Sequence, residues 1–242
     1  MADPLNLEAA DDVSYDVVKG LTPETLAQII AGYDGLIVRS SAQVTDRVIA
    51  AADRLRVIGR AGAGIDNIDL RAASERGVIV MNTPGANTVA TAEHTMALLL
   101  ALCRNVPQAA ASLKSGAWSR KEFKGTEVRS KTIGIIGLGR VGQRVARRCK
   151  AFGMDVICHD PYLSSERAEL LKVDQVPLEE LLERSDFITL HAALTEDTRG
   201  LIGTEALARA KPGVRIINAA RGGLIDEGAL IEALKDGRVA GA

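Results

Sequence analysis

The stretch TIGIIGLGRVG, at residues 132–142, decides the fold of this chain. Its first five residues, Thr132–Ile136, are an apolar run that predicts a buried strand. The strand leads directly into a Gly-x-Gly-x-x-Gly motif, and apolar residues then recur at helical spacing until Gly153. A strand, a glycine-rich turn and a helix in immediate succession are the setting in which this motif binds a dinucleotide.

The three glycines of the motif have separate roles in that setting. We expect Gly137 to permit the tight turn and Gly139 to let the backbone approach a pyrophosphate. Gly142 should allow the helix to pack closely on the strand. The phosphates would then meet the free N–H groups and the positive end of the helix.

An acidic residue follows the next predicted strand, Val156–Cys158. Asp160 lies 23 residues after Gly137. At this position a carboxylate accepts hydrogen bonds from the adenosine ribose hydroxyls and repels a 2′-phosphate, which favours NAD over NADP. The alternative interpretation is a surface strand with a glycine-rich turn and a turn aspartate before Pro161.

The remainder of the chain alternates short apolar, often β-branched runs with longer amphipathic runs. This alternation predicts parallel sheets with helices on their faces. Predicted strands cover residues 13–18, 36–38, 57–58, 78–81, 187–190 and 214–217. Predicted helices begin at Thr22 or cover residues 46–52, 70–76, 91–104, 178–183 and 205–210. A polar stretch, residues 114–131, looks like a connection between domains.

Basic residues follow several of these strands. Arg39 and Arg60 come after two strands of the first half, and Arg221 comes after the strand at 214–217. Ligands of open α/β sheets bind beyond the carboxyl ends of the strands, and a guanidinium can hold a carboxylate or phosphate with two hydrogen bonds. Arg221 could therefore hold a substrate carboxylate and polarise a neighbouring carbonyl group. The spacing alone leaves open the alternative that these arginines are simply solvated.

Composition argues against several functional classes. The chain has 242 residues, with 30 Lys and Arg against 31 Asp and Glu, and this balance argues against a nucleic-acid partner. The longest apolar run, Met96–Cys103, has eight residues, whereas a membrane-spanning helix needs about 20, so we expect no membrane partner. The N-terminus has neither the basic region nor the apolar core of a signal peptide. Cys103, Cys149 and Cys158 lack metal-ligand spacing, which predicts buried thiols, no metal site and a cytoplasmic protein.

Seven segments together resemble the D-2-hydroxyacid dehydrogenase family. They read LIVRSSAQVT, GRAGAGIDNIDL, VIVMNTPGANTVATAEH, GTEVRSKTIGIIGLGRVGQRVA, CHDPY, DFITLHAALTEDTRGLI and KPGVRIINAARGGLIDEGAL, and they span roughly residues 34 to 242. The resemblance implies two α/β domains with the active site between them. Residues 1–85 would be a smaller, flavodoxin-like substrate domain, and residues 86–242 a Rossmann-type NAD domain with a doubly wound parallel sheet. Both would be incomplete relative to the family, the second lacking its last strands.

The resemblance also implies an activity. Within the family, the motifs are most similar to those of members that oxidise 3-phospho-D-glycerate to 3-phosphohydroxypyruvate with NAD, the first step of L-serine biosynthesis. The partner would then be a small phosphorylated 2-hydroxy acid, and the protein would be a homodimer or homotetramer. Two alternatives remain: a glyoxylate or hydroxypyruvate reductase, and a non-catalytic, NAD-binding protein similar to transcriptional corepressors.

Individual positions match functional residues of the family. Arg221 matches the arginine that binds the substrate carboxylate. The matches on the cofactor side are the turn residues Gly137, Gly139, Arg140, Val141 and Gly142, the ribose acid Asp160, and Ala219 and Ala220 beside the nicotinamide. The matches on the side of the phosphorylated substrate are Arg39, Arg60, Asn87 and Arg120.

The chain also departs from the family pattern. The resemblance places a catalytic Glu and a catalytic His after Ala242, and it places a further strand before the first predicted one. Ala63 and Ala192 stand where the family often has Thr. We therefore expect little turnover from these 242 residues alone, since general acid–base catalysis contributes about 10²–10⁴ in rate. The substrate domain should be the less stable half.

Overall fold

The structure is a computed structural model that describes residues 13–242. The chain divides into two compact units, one ending at Ala86 and the other running from Asn87 to Ala242. Each unit is built on its own parallel sheet with its own apolar core.

Within residues 13–86, the first unit contains three strands and three helices in alternation. In chain order its elements are α1 (Pro23–Ile29), a 3₁₀ turn (Ile30–Gly32), β1 (Gly35–Val38), α2 (Asp46–Ala50), β2 (Val57–Arg60), α3 (Leu70–Glu75) and β3 (Ile79–Asn82). The start of α1 is as predicted, because Thr22 caps the helix and Pro23 occupies its first turn. The strands lie in the order β1-β2-β3, and Arg60 of β2 pairs with Val38 on one side and Asn82 on the other.

One face of this small sheet is buried and the other is open. Ile58 is fully buried, and the buried residues of the three helices cluster with it. On the opposite face, Ile37, Ile79 and Met81 are 48%, 62% and 56% exposed. Among the described residues 13–86, the core of the first unit therefore lies on one side of its sheet.

The second unit contains the remaining elements. These are α4 (Thr88–Arg104), α5 (Val106–Lys114), β4 (Thr132–Ile136), α6 (Arg140–Ala151), β5 (Asp155–His159), α7 (Ser165–Leu171), β6 (Asp174–Gln175), α8 (Leu178–Arg184), β7 (Phe187–Leu190), α9 (Thr204–Arg209), β8 (Val214–Asn218), a 3₁₀ turn (Gly222–Leu224), α10 (Glu227–Lys235) and β9 (Val239–Gly241). All strand pairs are parallel, in the order β6-β5-β4-β7-β8-β9. This is the 3-2-1-4-5-6 order of the Rossmann fold, so the predicted doubly wound α/β fold is confirmed.

Two apolar clusters cover the two faces of the second sheet. One contains Met96 and Leu99 of α4 with Val145 and Cys149 of α6. The other contains Leu181 of α8 and further residues of α9 and α10. Within residues 13–242, no single helix has both the length and the apolarity to cross a membrane, and only α4 and α5 as a pair, bent by 65°, pass that test.

Two predictions about the elements are wrong. Residues 13–18 form no strand, and Val17 is 73% exposed. A β-branched run becomes a strand only when a neighbouring strand takes up its backbone hydrogen bonds, and β1 pairs only with β2 in the described part of the chain. The polar stretch at 114–131 lies inside the second unit rather than between domains. There the Thr126 N–H donates to the Cys103 carbonyl at 2.8 Å.

The second sheet ends in a strand that the sequence did not predict. Val239–Gly241 forms β9. It has only three residues and pairs with Val214 and Arg215 across an irregular register. Such a short strand has no periodicity that a sequence pattern can show. That the second unit lacks its last strands relative to the family stays a prediction.

Candidate functional site

The turn after β4 requires glycine at position 137. Gly137 has a φ of +88°, in the region that L side chains rarely adopt. A Cβ atom built there would lie 2.8 Å from the His191 carbonyl oxygen and the Ala192 nitrogen. The loop that follows β7 therefore crosses directly over the turn, and only glycine allows this approach.

The other two glycines of the motif meet different surroundings. A Cβ on Gly142 would collide with the Gly137 carbonyl oxygen, so α6 begins in close contact with the turn. A Cβ on Gly139 would meet nothing within 4 Å. Arg140 and Val141 begin α6, where the first backbone N–H groups have no acceptor within the helix. Open space in front of free N–H groups is what a pyrophosphate requires.

Asp160 is hydrogen-bonded to the glycine turn. Its Oδ2 accepts from the Leu138 N–H at 2.8 Å, and its Oδ1 accepts from the Tyr162 N–H at 3.0 Å. On the far side of the turn, the Gln143 side chain donates to the Leu138 carbonyl at 3.0 Å. A carboxylate oxygen has two lone pairs, so both oxygens of Asp160 keep acceptor capacity for ribose hydroxyls.

His191 follows β7 at the same edge of the sheet. Its backbone N–H donates to the Ile136 carbonyl at 2.7 Å, and its Nε2 lies 3.0 Å from the Thr189 hydroxyl. Burial lowers the pKa of His191 from 6.5 to about 4. The ring is therefore neutral at physiological pH, and its Nε2 is engaged with a buried threonine.

Arg221 follows β8 on the same edge. β8 is separated from β4 by β7 alone, which places their ends about 10 Å apart. Asn218 brackets the turn that carries the arginine: its Oδ1 accepts from the Ala220 N–H at 3.0 Å, and its Nδ2 donates to the Arg221 carbonyl at 2.8 Å. The guanidinium Nη1 donates to the Ala220 carbonyl at 2.9 Å. Ala219 and Ala220 are both half-buried in this turn.

Two further predicted residues of the second unit lie elsewhere. Asn87 is exposed at the N-cap position of α4, and Arg120 is exposed in the turn that follows α5. Neither residue stands at the strand ends that carry the glycine turn and Arg221. Their role in substrate binding stays a prediction.

The first unit has its own cluster at the carboxyl edge of β1–β3. Arg39 is exposed after β1, and the Asn67 amide donates to the Arg39 and Ala42 carbonyls at 3.0 and 2.6 Å. The Arg60 guanidinium lies over Gly62, where a Cβ would collide with it. Its Nε is buried and has no hydrogen-bond partner among the residues described. A buried guanidinium nitrogen of this kind favours an anionic ligand.

The geometry of the second unit fits NAD. Space at Gly139, free N–H groups at the start of α6 and acceptor capacity on Asp160 meet the needs of a pyrophosphate and an unphosphorylated ribose. Across residues 13–242 there is no group of three or more His, Cys, Asp or Glu side chains that could hold a metal ion.

Sequence reasoning did not single out Asn218, His191 or Gln143 as site residues. The position of Asn218 carried a usable signal, because an asparagine at a strand end often bonds the backbone N–H two residues on. The role of His191 depends on Thr189 and on burial, which no local pattern reveals.

Comparisons with known proteins point in one direction. The family described as "D-isomer specific 2-hydroxyacid dehydrogenase, NAD binding domain" matches residues 96–242. D-3-phosphoglycerate dehydrogenases of Archaeoglobus fulgidus and Methanocaldococcus jannaschii are 49% and 52% identical over 100% of this chain. The chain spans 47% of the length of each of these relatives. Among solved structures, D-lactate dehydrogenase from Aquifex aeolicus in complex with NAD and lactic acid matches with a TM-score of 0.83 and 32% identity, over 89% of this chain and 65% of that one.

Proposed function

Because the chain belongs to the D-isomer-specific 2-hydroxyacid dehydrogenase family and carries its NAD-binding domain, we propose that it is part of an enzyme that oxidises 3-phospho-D-glycerate to 3-phosphohydroxypyruvate. This would be the first step of L-serine biosynthesis. The observation that carries the proposal is the position of Arg221 after the end of β8. This strand lies two places from β4 in the sheet, and the glycine turn after β4 is fixed by Asp160. The relatives named D-3-phosphoglycerate dehydrogenase support this choice of substrate.

The reaction breaks the C2–H and O–H bonds of the 2-hydroxy acid and forms a C2=O bond. NAD, when bound, supplies the acceptor for the hydride, and the hydroxyl proton passes to a base. Arg221 binds the substrate carboxylate, and its positive charge stabilises the C2 oxygen as the carbonyl develops. We do not assign the base to His191, since its ring is buried and bonded to Thr189.

We assign the substrate phosphate to the basic residues of the first unit, above all to Arg60. Its unpartnered Nε–H would donate a charge-assisted hydrogen bond to a phosphate oxygen. Arg39 would add a second positive charge from the exposed end of β1. Asn87 and Arg120 are the further candidates for contacts with the phosphorylated substrate.

The test uses the full-length polypeptide that carries this sequence, with Arg60→Gln compared with Arg71→Gln. Arg71 pairs with Glu75 on the exposed face of α3. Arg71→Gln therefore removes one positive charge from the same unit and serves as the matched control. We expect R60Q to raise KM for the phosphorylated substrate by about 10–100-fold, which corresponds to the free energy of one hydrogen bond to a charged group. The R71Q variant should not change KM. Reduction of unphosphorylated hydroxypyruvate should be nearly unaffected in both.

Other outcomes would favour the alternatives. Faster turnover of glyoxylate or hydroxypyruvate than of the phosphorylated pair would contradict the proposed substrate and favour a reductase. Tight NAD binding without turnover of any 2-hydroxy acid would favour a non-catalytic, corepressor-like role.

We also propose that the protein is a homodimer or homotetramer and that it acts in the cytoplasm. Support for self-association comes from α5, which has no buried residue, and from Leu113 and Trp118, which are 59% and 77% exposed. A contiguous exposed apolar surface marks an interaction site, and we propose that these side chains form one. Leu113→Lys should shift the species seen by sedimentation towards the monomer, and an unchanged distribution would contradict the assignment to α5.

The free, buried state of all three cysteines agrees with a reducing compartment.

A further inference from the structure

The turn that carries Arg221 is held at both ends by one side chain. Asn218 is the last residue of β8 and pairs with Leu190 of β7 in the interior of the sheet. Its Oδ1 accepts from the Ala220 N–H at 3.0 Å, and its Nδ2 donates to the Arg221 carbonyl at 2.8 Å. The two bonds fix the backbone on either side of the Ala220–Arg221 peptide.

The backbone beyond Arg221 is fixed independently. The Leu224 N–H donates to the Arg221 carbonyl at 3.2 Å, within the 3₁₀ turn. The Gly200 N–H donates to the Gly223 carbonyl at 2.8 Å, which joins this loop to the loop after β7. Arg221 therefore lies between two fixed segments, the turn held by Asn218 and the loop that is bonded to Gly200. Its own backbone is extended, with φ and ψ of −140° and 135°.

The chemistry at position 218 requires an amide. A carboxylate of the same shape would keep the bond from the Ala220 N–H but would present a second acceptor to the Arg221 carbonyl. A glutamine is one methylene longer and cannot reach both groups with the same geometry. An alanine would lose both bonds and leave the turn to its own conformational freedom.

We propose that Asn218 is the positioning residue for Arg221, which it holds ready for the carboxylate of the 2-hydroxy acid. This inference rests on the proposed role of Arg221 in substrate binding. A guanidinium on a fixed backbone loses less conformational entropy when it binds, and the carboxylate then binds in one orientation. Asn218 itself need not contact the substrate.

A double-mutant cycle tests this role in the full-length protein. We expect Asn218→Asp and Asn218→Ala to raise KM for the 2-hydroxy acid by about tenfold or more, the scale of one or two lost hydrogen bonds. The Kd for NAD should stay within about twofold. In an Arg221→Ala background, the same substitutions at 218 should change KM little, because a residue that acts through Arg221 has nothing left to position. Equal losses in both backgrounds would overturn the proposal.

A matched control is available in the same unit. The Asn105 amide donates to the Lys124 carbonyl at 3.4 Å, away from the strand ends. Asn105→Asp should leave KM and the Kd for NAD unchanged. A KM increase for Asn105→Asp equal to that of Asn218→Asp would show that loss of any such amide has the same effect, and it would also overturn the proposal.

A second measurement separates this inference from the proposed function. In the 242-residue chain, nuclear magnetic resonance relaxation reports the order of the Ala220 and Arg221 amides without any turnover. Asn218→Ala should lower the order of both amides, whereas Asn105→Asp should not. If no 2-hydroxy acid is turned over but the order falls, the proposed function fails and the positioning role stands. If turnover is as proposed but the order does not change, the positioning role fails alone.

Discussion

The Oδ2 of Asp160 accepts a hydrogen bond from the Leu138 N–H at 2.8 Å, so the acid proposed for the ribose also fixes the glycine turn. The acid and the turn come from two adjacent strands, β5 and β4. One substitution at Asp160 should therefore act on two things at once: the proposed contact with the ribose and the shape of the turn proposed to receive the pyrophosphate.

Asp160→Ala should weaken NAD binding by about 10–100-fold, since hydrogen bonds to a charged group contribute about 1.5–3 kcal/mol. Asp160→Asn, which still accepts from the Leu138 N–H, should lose less. The preference for NAD over NADP should shrink in both variants because the repulsion of a 2′-phosphate is gone. Calorimetric titration of the 242-residue chain measures these affinities. Asp155→Asn, at the exposed opposite end of β5, is the control, and tighter binding of NADP than NAD to the unmodified chain would refute the role of Asp160.

Alanine substitutions at Gly139 and Gly142 should affect different quantities. The first should lower NAD affinity, and the second should lower the free energy of unfolding. A methyl group at 139 enters open space, so the free energy of unfolding should be unchanged while NAD affinity falls at least about tenfold. A methyl group at 142 would collide with the Gly137 carbonyl, and such overpacking costs about 1–3 kcal/mol of stability. Denaturant unfolding and calorimetry on the same two variants provide the comparison. A destabilised G139A with normal affinity would contradict the pyrophosphate assignment.

Sequence patterns predicted the second unit well where local chemistry dictates structure. The segment from Thr132 to Ala151 is an example, because its strand, turn and helix each depend on residues that are adjacent in sequence. The position of Asp160 at the end of β5 could be anticipated because it directly follows the predicted strand, whereas its role towards the ribose stays a prediction. The helix α5 was not predicted, since the sequence pattern predicted a helix only as far as Arg104. In the structure Asn105, with a left-handed φ of 53°, separates α4 from α5.

The site residues that the sequence did not reveal depend on distant partners. His191 is defined by burial against the turn of β4, and Asn218 by the two backbone groups that it joins. The predicted strand at 13–18 failed for a related reason, since its propensity needs a neighbouring strand. Local sequence patterns therefore predict secondary-structure elements and motifs, whereas the residues that hold the site in place are determined by tertiary contacts.

His191 should make the protein less stable in mild acid. Its pKa of about 4 in the folded chain lies below the ordinary value of 6.5. Between these values the unfolded chain binds the proton and the folded chain does not, so the free energy of unfolding falls as pH is lowered through this range. Above pH 6.5 neither state is protonated and this loss is absent.

His191→Gln should remove that dependence. Between about pH 7 and pH 5 the unmodified chain should lose about 1–2 kcal/mol more stability than the variant. Urea unfolding at the two pH values measures the difference, and His94→Gln, on the exposed side of α4, is the control. Equal losses in the unmodified chain and in H191Q would show that the imidazole is protonated in the folded state.

The first unit should exchange its backbone amides faster than the second. In the part of the first unit that the structure describes, the sheet has three strands with apolar side chains packed on one face, whereas the second sheet has six strands with clusters on both faces. Ile58 and Ile188 make a matched comparison, since each is fully buried in a strand that pairs on both sides. Because opening free energies follow the apolar contacts that are lost, we expect the Ile58 amide to exchange about 100-fold faster or more. Hydrogen exchange followed by mass spectrometry measures both sites, and equal protection would contradict a less stable first unit.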